Sequence, residues 1–164
     1  MRRMPVLRRL PLGDLDRLVS RSRLRRFRAG ECLIEEGRRG DEVFLIVEGH
    51  VSVHRQLSKR EQSVIATRSE GDWVGEMALI EDLPRSASVS AESDAQVLSI
   101  PRDAFLEVVT GNSAAAVDLL RAVSARLRES GAAQLEILRG KNELLLKSNR
   151  RLSRENRLLR GELD

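Results

Sequence analysis

The chain is poor in several residue types, and each shortage excludes something. Among 164 residues there is one cysteine, Cys32, so no internal disulfide can form and a reducing compartment suits the chain. There is no tyrosine, and three phenylalanines and one tryptophan are all the aromatics. The core is therefore expected to be aliphatic, built from Val, Leu, Ile and Ala. Met1-Arg-Arg-Met-Pro leads into no apolar run long enough for a signal peptide or a membrane span. A soluble, cytoplasmic protein without membrane contact is expected. His50 and His54 are the only histidines, and no Cys, Asp or Glu joins them at metal-site spacing. Cys32 sits in an apolar strand-like run and reads as core rather than nucleophile. With no Walker loop and no nucleophile elbow, neither an enzyme nor a cofactor is expected.

What is present in excess is arginine at the ends. The formal net charge is +4, unevenly spread. Residues 1–30 hold ten Arg against Asp14 and Asp16, residues 31–129 lean acidic, and the tail from Ser130 is basic again. Basic ends can bind nucleic acid or anionic lipid, but a solvated arginine-rich surface explains them as well.

Leu7, Leu10, Leu12, Leu15, Leu18 and Val19 recur at roughly helical spacing, which predicts one or two short amphipathic helices over 12–25. From Cys32 to Ile100 the pattern changes to short apolar runs separated by turn residues: 32–34, 43–47, 51–53, 64–66, 87–89 and 97–100. Glu48-Gly-His50 reads as a tight connection between two of them. Short strands at this spacing predict a small all-β barrel or roll. After Ile100 the strand signal ends. Pro101 suits the first turn of a helix reaching about Val109. Thr110-Gly-Asn112 then breaks the pattern, with Asn112 as N-cap of a second helix running toward the C-terminus. Gly131 and Gly140 are its weak points. The predicted division is 1–111 and 112–164.

The tail carries a heptad pattern from about residue 135. Leu138, Leu145, Leu152 and Leu159 are spaced by seven, and Asn142, Asn149, Asn156 and Leu163 follow four residues after each. This is Leu at d with mostly Asn at a. The register sets Glu155 at g and Arg160 at the following e, which suits a parallel two-stranded coil. Asparagine at a weakens such a coil while fixing its register and partner number. A solvated helix lying on its own domain is the plainer alternative. Arg150, Arg151, Arg154 and Arg157 fall outside the seam. In a basic-zipper DNA binder the basic segment precedes the leucines, whereas here it overlaps them, so nucleic-acid binding is not favoured.

The most unusual stretch is Gly75-Glu-Met-Ala-Leu-Ile-Glu-Asp-Leu-Pro-Arg-Ser-Ala-Ser-Val89. Gly71 and Gly75 permit close backbone approach. Glu76-Met-Ala-Leu-Ile80 is a short helix-compatible run whose N–H groups suit an anion. Arg85 offers a planar fork matched to phosphate, Glu76 can accept from sugar hydroxyls, and Pro84 stiffens the approach. On spacing alone, a surface turn with an Arg–Glu pair would look similar.

These residues resemble the phosphate-binding cassette of cyclic nucleotide-binding domains: Gly-Glu-aliphatic-small-Leu, a short gap, then Arg-small-Ala. Phe27-Arg-Ala-Gly-Glu31, Glu36-Gly37, Gly40-Asp41, Val47-Glu-Gly49 and Gly71-Asp-Trp-Val-Gly75 fall where the family places similar residues, so the resemblance covers about residues 10–130. It implies an α+β fold, a jelly-roll-like β-roll flanked by short helices, here with a long C-terminal coiled-coil helix. It also implies the ligand site. Arg85 would bind the cyclic phosphate and Glu76 the ribose 2′-hydroxyl. Ser86 and Ala87 would support the phosphate beside Gly75, Met77 and Ala78. The spacing is similar to that of the bacterial catabolite activator and its relatives. It sets Ser130 where a helix hydroxyl contacts adenine, and Ser86 rather than Thr favours cAMP over cGMP. Those regulators continue into a winged helix-turn-helix, and here the coil pattern stands in its place. The resulting expectation is a cAMP receptor, with cGMP or a cyclic dinucleotide left open as ligand, that forms a homodimer through a parallel coiled coil and signals through a downstream protein. The alternatives are a structural adaptor with a vestigial pocket and, less favoured, a DNA-binding regulator.

Overall fold

The computed structural model describes residues 10–58 and 61–161. Helix α1 (Leu12–Ser20) is followed by strands β1 (Arg23–Phe27), β2 (Cys32–Ile34), β3 (Glu42–Glu48), β4 (His50–Ser58), β5 (Glu61–Ser69) and β6 (Trp73–Val74). Then come α2 (Glu76–Glu81), β7 (Ser88–Ala91), β8 (Ala95–Pro101), α3 (Arg102–Gly111) and α4 (Ser113–Gly161). The strands form two antiparallel sheets of four, in the orders β1-β8-β3-β6 and β2-β7-β4-β5. This is the α+β β-roll expected from the sequence.

Period-two alternation divides the core between two layers. From β3, Val43 and Leu45 join Leu98 and Ile100 of β8 against Leu18, Phe105 and Val109 of the helices. The intervening Phe44 and Ile46 face the other sheet with Val97, Val51 and Val89. The core is mainly aliphatic, and the few aromatics are all inside it. Trp73 and Phe105 pack edge to face with ring centroids 5.5 Å apart.

Two expectations are corrected. The helical reading of 12–25 fails after Ser20, because residues 23–27 form β1, paired residue by residue with β8 from Arg23 opposite Ser99 to Phe27 opposite Ala95. Cross-strand pairing overrides the good intrinsic helix propensity of arginine and leucine. Cys32 is exposed rather than core. It begins a three-residue strand whose burial increases only toward Ile34, and its thiol lies 3.1 Å from the Ile34 carbonyl.

Helix α3 starts directly after Pro101, the last residue of β8, and runs to Gly111. Asn112 does cap α4, its Oδ1 accepting from the Ala115 N–H at 3.0 Å. The helix passes through Gly131 and Gly140 without a break. The chain divides into compact units of residues 1–127 and 128–164. In the second unit Leu135, Leu138, Leu144, Leu145, Leu146 and Leu152 are exposed. No helix among the described residues is long and apolar enough to cross a membrane.

Candidate functional site

Residues 75–89 lie within the first unit and close against β3. Gly75 precedes α2 with φ +92°, in the left-handed region that side chains avoid. Helix α2 turns Ala78 and Leu79 into the core and leaves Met77 half-buried and Ile80 exposed. Asp82 ends the helix at φ +54° and pairs with Arg102 at 2.6 Å. The chain then runs through Pro84 to Arg85 and enters β7 at Ser88.

Arg85 is buried, with 7% of its surface exposed. Its Nη1 donates to the Gly75 carbonyl and its Nη2 to the Glu42 carbonyl, both at 2.6 Å. A guanidinium has five N–H donors, so these two bonds leave three N–H groups for other acceptors. The backbone is fixed as well: Arg85 N donates to Arg38 O at 2.9 Å, and Gly37 N donates to Arg85 O at 2.8 Å. Two glycines make the space. A Cβ at Gly75 would lie 2.5 Å from Arg85 Nη1, and one at Gly40 would overlap the same guanidinium. Burial pushes the Arg85 pKa below its ordinary value, against the pull of the Glu42, Asp41 and Glu76 carboxylates. The protein therefore holds a desolvated cation that an anion would stabilise further.

Glu76, the first residue of α2, is 2% exposed. Its carboxylate meets Arg126 of α4, Nη1 to Oε1 at 2.5 Å. Arg126 also donates from Nη2 to the Trp73 carbonyl at 2.5 Å and lies 5.8 Å from the centroid of the Trp73 ring. Ser86 is exposed, and its carbonyl accepts from Arg55 Nε at 3.2 Å; Ala87 is half-buried.

Glu76 and Arg85 thus emerge from one short segment as two buried, oppositely charged groups, with Gly75, Met77, Ala78, Ser86 and Ala87 beside them. The side chain of Ser130 lies outside the described residues. Arg126 is the site residue that sequence reasoning missed. It is one of many arginines, and its partner stands fifty positions earlier; no local pattern marks such a pairing.

A family model described as the cyclic nucleotide-binding domain matches residues 24–112. The cAMP-dependent protein kinase regulatory subunit of Mycosarcoma maydis is 35% identical over 117 residues, 71% of this chain and 21% of that protein. Among solved structures, the catabolite activator protein of Thermus thermophilus superposes with a TM-score of 0.69 at 26% identity, covering 82% of this chain and 62% of that one. The regulatory domain of Toxoplasma gondii PKA, co-crystallised with cAMP, gives a TM-score of 0.61 at 27% identity, covering 65% of this chain and 41% of that one. This chain therefore spans about a fifth of the length of the curated relative and less than two thirds of either solved chain.

Proposed function

The chain belongs to the cyclic nucleotide-binding domain family, and on that premise we propose that it is a cAMP receptor that dimerises through its C-terminal helix and signals through a partner protein. The observation that carries the ligand assignment is the buried Arg85 guanidinium, which keeps three N–H groups after its two carbonyl bonds. A cyclic phosphate monoanion fits such a group, because charge-assisted bonds to a desolvated cation are the strong ones. Glu76 accepts from the ribose 2′-hydroxyl, with Arg126 holding its carboxylate in place. Backbone of Gly75, Met77 and Ala78 lines the sugar side, and Ser86 and Ala87 support the phosphate.

Dimerisation follows from the heptads. Leu138, Leu145 and Leu152, each more than half exposed, form one stripe that a second copy would cover. A ligand shifts a conformational equilibrium only by its differential affinity for the two states. The Glu76–Arg126 pair gives it a handle on the first turns of α4, and the proposed readout is a change in helix pairing. Calorimetry with cAMP, cGMP and 2′-deoxy-cAMP tests the assignment. Binding of cAMP, weakened by about 1–3 kcal/mol when the 2′-hydroxyl is absent, is the expected result. Equal affinity for cAMP and the deoxy analogue would remove Glu76 from the site.

A further inference from the structure

Strand β1 carries charge that the nucleotide site does not use. Four of its five residues, Arg23-Leu-Arg-Arg26, are exposed and only Phe27 is buried. It is an outer strand of its sheet, paired with β8 on one side and with no strand among the described residues on the other. Arg25 is engaged, reaching Glu42 at 3.4 Å and lying 5.0 and 5.6 Å from the ring centroids of Phe27 and Phe44. Arg21, just before the strand, is held by Asp103 and Glu107. Arg23, Arg26 and Arg28 differ: among the described residues their side chains make no ion pair and no hydrogen bond. Leu24, between two of them, is 55% exposed.

An unpaired strand edge is a template for another strand, and proteins blunt such edges with charge. Here the charge has one sign. Two copies of β1 laid edge to edge would oppose arginine to arginine, so the charge that repels a second copy selects a strand of the opposite sign. We propose that the β1 edge is a docking strand for an extended acidic segment of a partner protein. The incoming segment pairs its backbone with the outward N–H and C=O groups of β1, which meet no strand among the described residues, and its carboxylates meet Arg23 on one face, Arg26 on the other and Arg28 beyond the end. Strand addition draws affinity from main-chain bonds and selectivity from alternate side chains. Leu24 supplies an apolar contact for a side chain of the same segment. A nucleic-acid backbone could use the arginines but neither the free strand edge nor Leu24, which is why a peptide is the better fit. This surface contains none of the cassette residues, so the inference stands apart from the nucleotide assignment.

The test is fluorescence anisotropy of the full chain with a short labelled peptide of repeating Glu-Glu-Val, which carries carboxylates on both faces of an extended strand. Two comparison probes are used: the same peptide N-methylated at every amide, so that neither edge can donate, and a short random-sequence DNA duplex. Saturable binding of the plain peptide is expected. Binding should weaken about tenfold or more in the Arg23→Glu/Arg26→Glu variant and to a similar degree on N-methylation. The variant counts only if its circular dichroism and melting temperature match wild type, while the N-methyl comparison needs wild type alone. No binding of the plain peptide, equal binding of the N-methylated one, or tighter binding of the duplex than of the peptide would each overturn the proposal.

Discussion

Arg126 and Glu76 form an ion pair at 2.5 Å, joining α4 to the first residue of α2. The carboxylate is 2% exposed and the arginine side chain 17%. Neither residue is near the other in sequence, so the contact forms only when the first turns of α4 dock beside Trp73. The pair ties the first turns of α4 to the segment proposed to read the ribose.

Breaking this pair from one side should be more costly than removing both partners. Arg126→Met leaves the Glu76 carboxylate buried without its cation, at a cost of about 3–5 kcal/mol. Glu76→Met combined with Arg126→Met should recover part of that loss, with a coupling energy of about 1–3 kcal/mol. Urea unfolding of the wild type, both singles and the double reads this directly. Additive losses would mean that the pair contributes nothing of its own.

Gly75→Ala tests the space around Arg85. The substitution forces a Cβ into a residue at φ +92°, 2.5 Å from Arg85 Nη1. Strain of this kind costs on the order of 1–3 kcal/mol, and relief requires the guanidinium to move. Both stability and affinity for cyclic nucleotide should fall. Full retention of affinity in a folded Gly75→Ala protein would show that the Arg85 position does not matter to the ligand.

Much of this was legible in the sequence, for identifiable physical reasons. The strand runs at 43–47 and 97–100 were visible because both faces of these central strands are covered, which makes consecutive residues apolar, and 51–53 because valine alternates there. The cassette was visible because Gly75, Glu76 and Arg85 are close in sequence. β1 was not legible: Arg-Leu-Arg-Arg has no apolar alternation, and its strand state comes from pairing with β8. The exposure of Cys32 was hidden because its neighbours Leu33 and Ile34 are apolar and only Ile34 is fully buried. The Arg126 contact escaped because long-range ion pairs leave no local pattern.

The start of α4 gives a purely local prediction. Asn112 Oδ1 accepts from the Ala115 N–H at 3.0 Å, one of the donors that a helix start leaves without an intrahelical partner. Asn112→Ala should cost about 1 kcal/mol, and Asn112→Ser should restore most of it. Thermal or urea unfolding compares the two variants; equal losses would contradict the capping role.

The heptad region makes a prediction about association. In the proposed coil Leu145→Glu should abolish the dimer, whereas Asn149→Ile, which removes a polar residue from an a position, should tighten it by about tenfold or more. Sedimentation equilibrium with and without cAMP measures both effects. A wild-type dissociation constant that is the same in both conditions would sever the proposed link between pocket and coil.

The most direct test is calorimetric titration of cAMP into wild type, Arg85→Lys and Arg85→Leu, each checked for an intact melting transition. Wild type should bind saturably. Arg85→Leu should lose about 2–5 kcal/mol of binding free energy, and Arg85→Lys should fall between, since lysine keeps the charge but not the planar fork. A wild-type protein that binds no cyclic nucleotide, or an Arg85→Leu protein that binds cAMP as tightly as wild type, would contradict the account.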